Sequence, residues 1–136
     1  MNFDYILDTF KKIFRTSDKY QKIEKEAIRL IQKYYRGTIP DNRFYTQMLE
    51  LQSRLFYMNP DNVIDEGYPL WLNRFLGFAF HDWCTWFRFR TLYAEHPEKF
   101  TSPQEENSYQ KLLACNHDGI FREYCRRYLE ELDVLA

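Results

Sequence analysis

Valine occurs twice and glycine four times in this chain of 136 residues. The first scarcity argues against strands, and the second against the glycine-supported loops that cradle phosphates. An all-α chain is the default that remains. No Pro-, Gly- or Ser-rich stretch divides the sequence and no segment repeats, so one helical domain over residues 1–136 is expected, long enough to bury most of the surface its unfolded form would expose. The formal net charge is only −1, which excludes the strong overall field of a dedicated nucleic-acid binder.

Cysteine is scarce too: Cys84, Cys115 and Cys125 are an odd three. The start, MNFDYILDTF, lacks a charged-then-apolar leader, and a reducing, cytoplasmic setting is expected, with each cysteine serving as a small buried hydrophobe. Catalytic motifs are missing as well. There is no P-loop, G-x-S-x-G elbow, H-E-x-x-H helix or dinucleotide glycine fingerprint, and each of those chemistries needs its motif to place groups together. Cys115, His117 and Cys125 form one conceivable ligand set and His81, Asp82 and Cys84 another, but neither has spacing that brings ligands onto one turn. His81 and Asp82 are consecutive, which on a helix turns them about 100° apart. No metal and no cofactor are expected.

What the chain has in abundance is aromatic mass: twelve Phe, eleven Tyr and three Trp. Much of it lies between Pro69 and His96, where Leu70, Leu72, Phe75, Leu76, Ala79, Phe80, Trp83, Trp86, Phe87 and Tyr93 cover most of a helical circumference. A helix apolar nearly all round belongs in an interior. Arg74, Asp82, Arg88 and Arg90 would each cost a few kcal/mol near a bilayer centre, so this is not a membrane span. Gly77 and Thr91 are the positions where it could kink or end.

Around it the periodicity predicts further helices. Phe3, Ile6, Leu7, Phe10, Ile13 and Phe14 mark one over 3–15, and Tyr20, Ile23, Ala27, Leu30, Ile31 and Tyr34 mark a second over 18–36, stopped by Gly37. Phe44, Met48, Leu51 and Leu55 line a third, ending near Met58, with Tyr45, Leu49 and Phe56 widening its apolar stripe. Ser102, Pro103 and Glu105 have the spacing of a helix start, with a cap, a first-turn proline and a capping-box glutamate. That fifth helix carries Tyr109, Leu112 and Leu113. The last, from Asp118, carries Phe121, Tyr124, Cys125, Tyr128, Leu129 and Leu132. The expectation is a compact all-α bundle of about six helices around a buried, aromatic-rich central one.

Three features are candidates for function. Arg74, His81, Thr85 and Arg88 fall in one narrow arc of the central helix, a strip that could line a groove or simply meet water. Arg88 and Arg90 lie among Trp86, Phe87 and Phe89, an arrangement found at interface hot spots and equally in stacking within a fold. On the second helix Lys22, Lys25, Arg29, Lys33 and Arg36 recur at three or four. Residues 1–40 hold nine cations against five anions and 41–136 hold ten against fifteen, so the two parts carry opposite fields. A solvated face tempered by Glu24 and Glu26 would give the same pattern. The loop between Asn59 and Tyr68 is long and acidic, with Asp61, Asp65 and Glu66 failing the calcium-loop spacing. It is expected to be a solvated connector.

With catalytic motifs absent and interface residues abundant, the expectation is a small cytoplasmic protein–protein interaction module (an inhibitor, immunity protein, adaptor or assembly subunit) without catalytic activity. Two alternatives stand beside it. One is a nucleic-acid-binding module using the basic face, and the other a ligand-binding or enzymatic domain with a pocket near His81 and Arg88. No membrane partner is expected, and self-association stays open.

Overall fold

Apolar side chains at three- and four-residue spacing build the first ordered helix, α1 (Asp18–Arg36), which buries Tyr20, Ile23, Ala27, Leu30, Ile31 and Tyr34. Gly37 ends it in the left-handed conformation, φ +71°, its N–H donating to the Tyr34 carbonyl while Thr38 N–H donates to that of Lys33. This pair of bonds satisfies carbonyls the helix end would orphan. The computed structural model of the chain describes residues 16–61, 64–99 and 102–135, with only the backbone given for Tyr109 and Leu113. The helix expected over 3–15 lies outside them.

After a short turn, α2 (Asp41–Met58) lays Phe44, Met48, Leu51 and Leu55 into the core. Tyr45 and Leu49 pack at its edge, but Phe56, expected to widen the apolar stripe, is 60% exposed. The next helix begins as α3 (Leu70–Arg74), widens into a π-helical turn (Phe75–Ala79) and continues as α4 (Phe80–Glu95). The backbone stays right-handed helical at both junctions. The helix therefore does not stop at Gly77 or Thr91; Gly77 lies inside the π turn, which accommodates FLGFA by adding a residue to one turn.

The α5 helix (Pro103–Ala114) starts where the capping residues predict, with Glu105 N–H donating to Ser102 Oγ at 3.1 Å. Asn116 Oδ1 accepts from Gly119 N–H at 3.0 Å to start α6 (His117–Glu131). Among the described residues the chain has no strand and five helices, counting α3 through α4 as one. None of them is long and apolar enough to cross a membrane.

α1 packs on α2 and α6, and α4 on α6 and α5. Trp83 is the hub of the core. Its ring stacks on Phe80 at 5.9 Å, Phe87 at 5.1 Å and Phe121 at 5.4 Å, and meets Phe44 and Tyr34 edge-on at 5.3 and 5.7 Å. Such ring pairs contribute beyond the area they bury. Tyr34 also donates its hydroxyl to Asp118, tying the end of α1 to the first turn of α6. Burial pushes the Tyr34 hydroxyl pKa well up, with the Asp118 carboxylate adding to it, so it stays a donor at any ordinary pH.

The central helix supplies Leu72, Phe75, Leu76, Ala79, Phe80, Trp83, Cys84, Trp86 and Phe87 to the core, yet it is not enclosed on every side. Leu70, Phe78, Phe89 and Leu92 are exposed, Phe78 by 71%. The cysteines divide similarly. Cys84 and Cys125 are buried and their thiol pKa values are pushed up by burial, whereas Cys115 is exposed at the α5–α6 junction. One thiol per native chain is therefore expected to react with Ellman's reagent and all three after denaturation; a second fast-reacting thiol would contradict this burial.

Residues 64–69 form no loose connector. Ser17 N–H donates to the Gly67 carbonyl at 3.0 Å, Tyr20 donates its hydroxyl to Asp65 at 2.6 Å, and Tyr68 meets Tyr20 edge-on at 5.2 Å. The Tyr20 hydrogen bond, with Lys19 beside it, holds the Asp65 carboxyl below its ordinary value. Gly67 has φ +77°, and a Cβ there would sit 2.6 Å from Ser17 N. Gly67→Ala is expected to lower unfolding stability by about 2–4 kcal/mol, combining left-handed strain with displacement of the loop. Gly37→Ala, at φ +71° with nothing within 4 Å, is expected to cost about 1–2 kcal/mol. Equal losses in urea titrations would show that the contact with Ser17 contributes nothing.

Candidate functional site

The cationic residues of α1 lie where the helical repeat places them. Lys22, Lys25, Arg29, Lys33 and Arg36 are all exposed on one side of the helix. From Lys22 to Arg36 they extend over about 21 Å at 1.5 Å per residue. The two glutamates expected to temper the stripe are directed elsewhere. Glu24 Oε2 accepts from Trp71 Nε1 at 2.8 Å and from Thr16 Oγ1 at 2.7 Å, and Glu26 is hydrogen-bonded and ion-paired to Arg54 of α2. The Arg54 hydrogen bond is the main cause of a lowered Glu26 pKa, with smaller contributions from Lys22 and Arg29. Lys22, Lys25, Arg29 and Lys33 form no ion pair among the described residues.

Other cations are treated differently. On α6, Arg126 bridges Glu123 and Glu130 at 2.7 Å each, Arg127 reaches Glu123 at 3.5 Å and Arg122 reaches Asp118 at 3.6 Å. Lys19 pairs with Asp65 at 3.5 Å. An open groove of about 370 Å³ between α1 and α2 brings Arg29 and Lys33 beside Glu50, Gln47 and the Glu26–Arg54 pair, with Leu30 also lining it.

The arc of the central helix does not converge on one cleft. Arg74 lines a cleft beside α2, and His81 with Thr85 lines a second, between α4 and α6; Arg88 lines neither. The π turn explains the separation, because one added residue offsets Arg74 from His81 by about 100° relative to a regular helix. Arg88 donates through Nε to Tyr45 Oη at 2.6 Å and lies over that ring. Arg90 pairs with Asp41 at 3.2 Å and covers Trp86 at 4.5 Å and Phe87 at 5.3 Å. Both guanidinium groups thus fasten α4 to the first half of α2.

The α4–α6 cleft, about 430 Å³, joins His81, Asp82 and Thr85 to Trp86, Leu112, His117, Ile120 and Tyr124. His117 stacks on Trp86 at 5.8 Å. No group of three or more metal-ligating side chains converges among the described residues, and no hydrogen bond joins His81 to Asp82 among them.

The Arg74 cleft holds residues the sequence reading missed. Phe56 and Phe78 line it, with Gln52, Leu55, Asn59, Tyr68, Asn73, Leu76 and Gly77 completing it. A signal was present in FLGFA: Phe75, Phe78 and Phe80 cannot share one face of a helix. The chain matches no known protein family, no curated protein and no solved structure.

Proposed function

We propose that this protein is a protein–protein interaction module that docks through the cationic face of α1 onto an acidic surface of its partner. The observation that carries this reading is the fate of the two nearby glutamates. With Glu24 hydrogen-bonded to Trp71 and Thr16, and Glu26 paired to Arg54, Lys22, Lys25, Arg29 and Lys33 are exposed and form no ion pair or hydrogen bond with a carboxylate among the described residues, Glu26 acting on Lys22 and Arg29 only at longer range. The arginines of α6 have such partners.

A protein partner fits better than a nucleic acid. The cations extend over about 21 Å of one helix, while the rest of the chain is net acidic and would repel a long polyanion. The stripe also carries no exposed aromatic side chain on which a base could stack. A complementary acidic helix face has the right length.

The test uses the full chain as bait in its native cell extract. The expected result is a specific acidic protein that is retained at low salt, released by high salt, and absent from a Lys25→Glu, Arg29→Glu, Lys33→Glu bait. Recovery of nucleic acid in its place, sensitive to nuclease, would overturn the protein reading. Retention of the same partner by the reversed bait would overturn the site.

A further inference from the structure

The cleft between the end of α2 and the π turn combines three features that the fold itself does not use. Its rim presents Phe56 and Phe78, 60% and 71% exposed, although aromatic surface left in water costs about 25 cal/mol per Å² relative to burial. Tyr57, 79% exposed, adjoins Phe56 at 6.1 Å. The helix is widened into a π turn beside the cleft, a local irregularity found frequently at functional sites. Arg74 is the sole charged side chain lining it and forms no ion pair among the described residues.

The volume narrows the occupant. About 280 Å³ is accessible, just under the range of small-molecule pockets. It exceeds the roughly 150 Å³ cavity that accepts a benzene ring. One bulky apolar side chain fits, with Leu55, Leu76 and Tyr68 lining the cleft together with Phe56 and Phe78. The remaining recognition is polar: Gln52, Asn59 and Asn73 also line the cleft, and the Arg74 guanidinium among them favours a carboxylate adjacent to the anchor.

We infer that this cleft is a docking site for a short acidic–aromatic segment of a partner protein, with a Phe- or Leu-sized anchor against Phe56 and Phe78 and a neighbouring carboxylate on Arg74. The inference rests on the reading of the chain as an interaction module and adds to it a second contact with its own chemistry. The cationic face of α1 would steer an acidic partner, and the cleft would hold it.

The probe is a fluorescein-labelled peptide Asp-Glu-Phe-Leu-Asp-Glu, followed by fluorescence anisotropy and by amide shifts of the ¹⁵N-labelled chain. Lys-Lys-Phe-Leu-Lys-Lys and Asp-Glu-Ala-Ala-Asp-Glu are the comparisons. Gly77→Leu is the blocking variant, because Gly77 lines the cleft and a Cβ there meets nothing within 4 Å. The expected result is saturable binding of the acidic–aromatic peptide alone, with shifts centred on Phe56, Gly77 and Phe78. Gly77→Leu should weaken it at least tenfold and Arg74→Glu at least fivefold, while reversal of Lys25, Arg29 and Lys33 should change it less than twofold.

Failure here is separable from failure of the α1 reading, since the peptide is scored against each surface independently. Binding lost on α1 reversal but kept in Gly77→Leu would overturn the cleft and leave the α1 face standing. Equal binding of the lysine peptide, or no binding of any peptide at millimolar concentration, would overturn it too. So would a concentration-dependent dimer in sedimentation that Gly77→Leu dissolves, since the occupant would then be a second copy of the chain.

Discussion

Trp83→Ala is expected to destabilise the protein by about 3–5 kcal/mol, the range for removing a buried aromatic, and so to consume a large part of a typical folding free energy of about 5–15 kcal/mol. Trp83 is 1% exposed and touches rings from α1, α2, α4 and α6. Its loss opens a void that four elements would have to collapse together, and the stiff aromatic neighbours limit that relaxation. Phe78→Ala, on the same helix but 71% exposed, is expected to change stability by no more than about 0.5 kcal/mol. Urea titrations followed by circular dichroism at 222 nm measure both. Similar losses for the two variants would mean that the central helix faces the core differently from the arrangement described.

The other large effect is kinetic. With Lys25, Arg29 and Lys33 all changed to Glu, association with an acidic partner is expected to slow about 10- to 100-fold at low ionic strength, because the steering field changes sign. At 1 M salt the Debye length is about 3 Å, and the two association rates should approach each other. The variant itself should fold, since the three side chains are exposed and form no ion pair among the described residues. Stopped-flow mixing at two salt concentrations separates this from a folding defect, which salt would not restore in the same way. A variant that associates like the parent at low salt would reduce the stripe to a solvated face.

The elements that the sequence made legible are those in which neighbours along the chain decide the outcome. The six apolar positions of α1 and its Gly37 stop, the four of α2, and the Ser102–Pro103–Glu105 start of α5 all follow from local spacing and capping. What escaped depends on groups far apart in sequence. Nothing near Asp65 announces that Tyr20 will hold it, and nothing near Glu26 announces that Arg54, 28 residues on, will take it. The sequence pattern alone could not separate a tempered stripe from an untempered one. The π turn escaped for another reason: a helical projection assumes a constant angle per residue, so Arg74, His81 and Arg88 shared an arc on paper that a widened turn and the pull of Tyr45 on Arg88 take apart. Phe56 illustrates the remaining limit, since its spacing suits the apolar stripe and it is nonetheless exposed, no element among the described residues covering it.

The most direct test of the α1 face is lysine footprinting of the free chain and its complex with brief N-hydroxysuccinimide acetate treatment, read by mass spectrometry. Lys22, Lys25 and Lys33 are expected to lose most of their reactivity when the partner binds, while Lys99 and Lys111 react as before. Unchanged reactivity at Lys22, Lys25 and Lys33 in a saturated complex would contradict docking through this face.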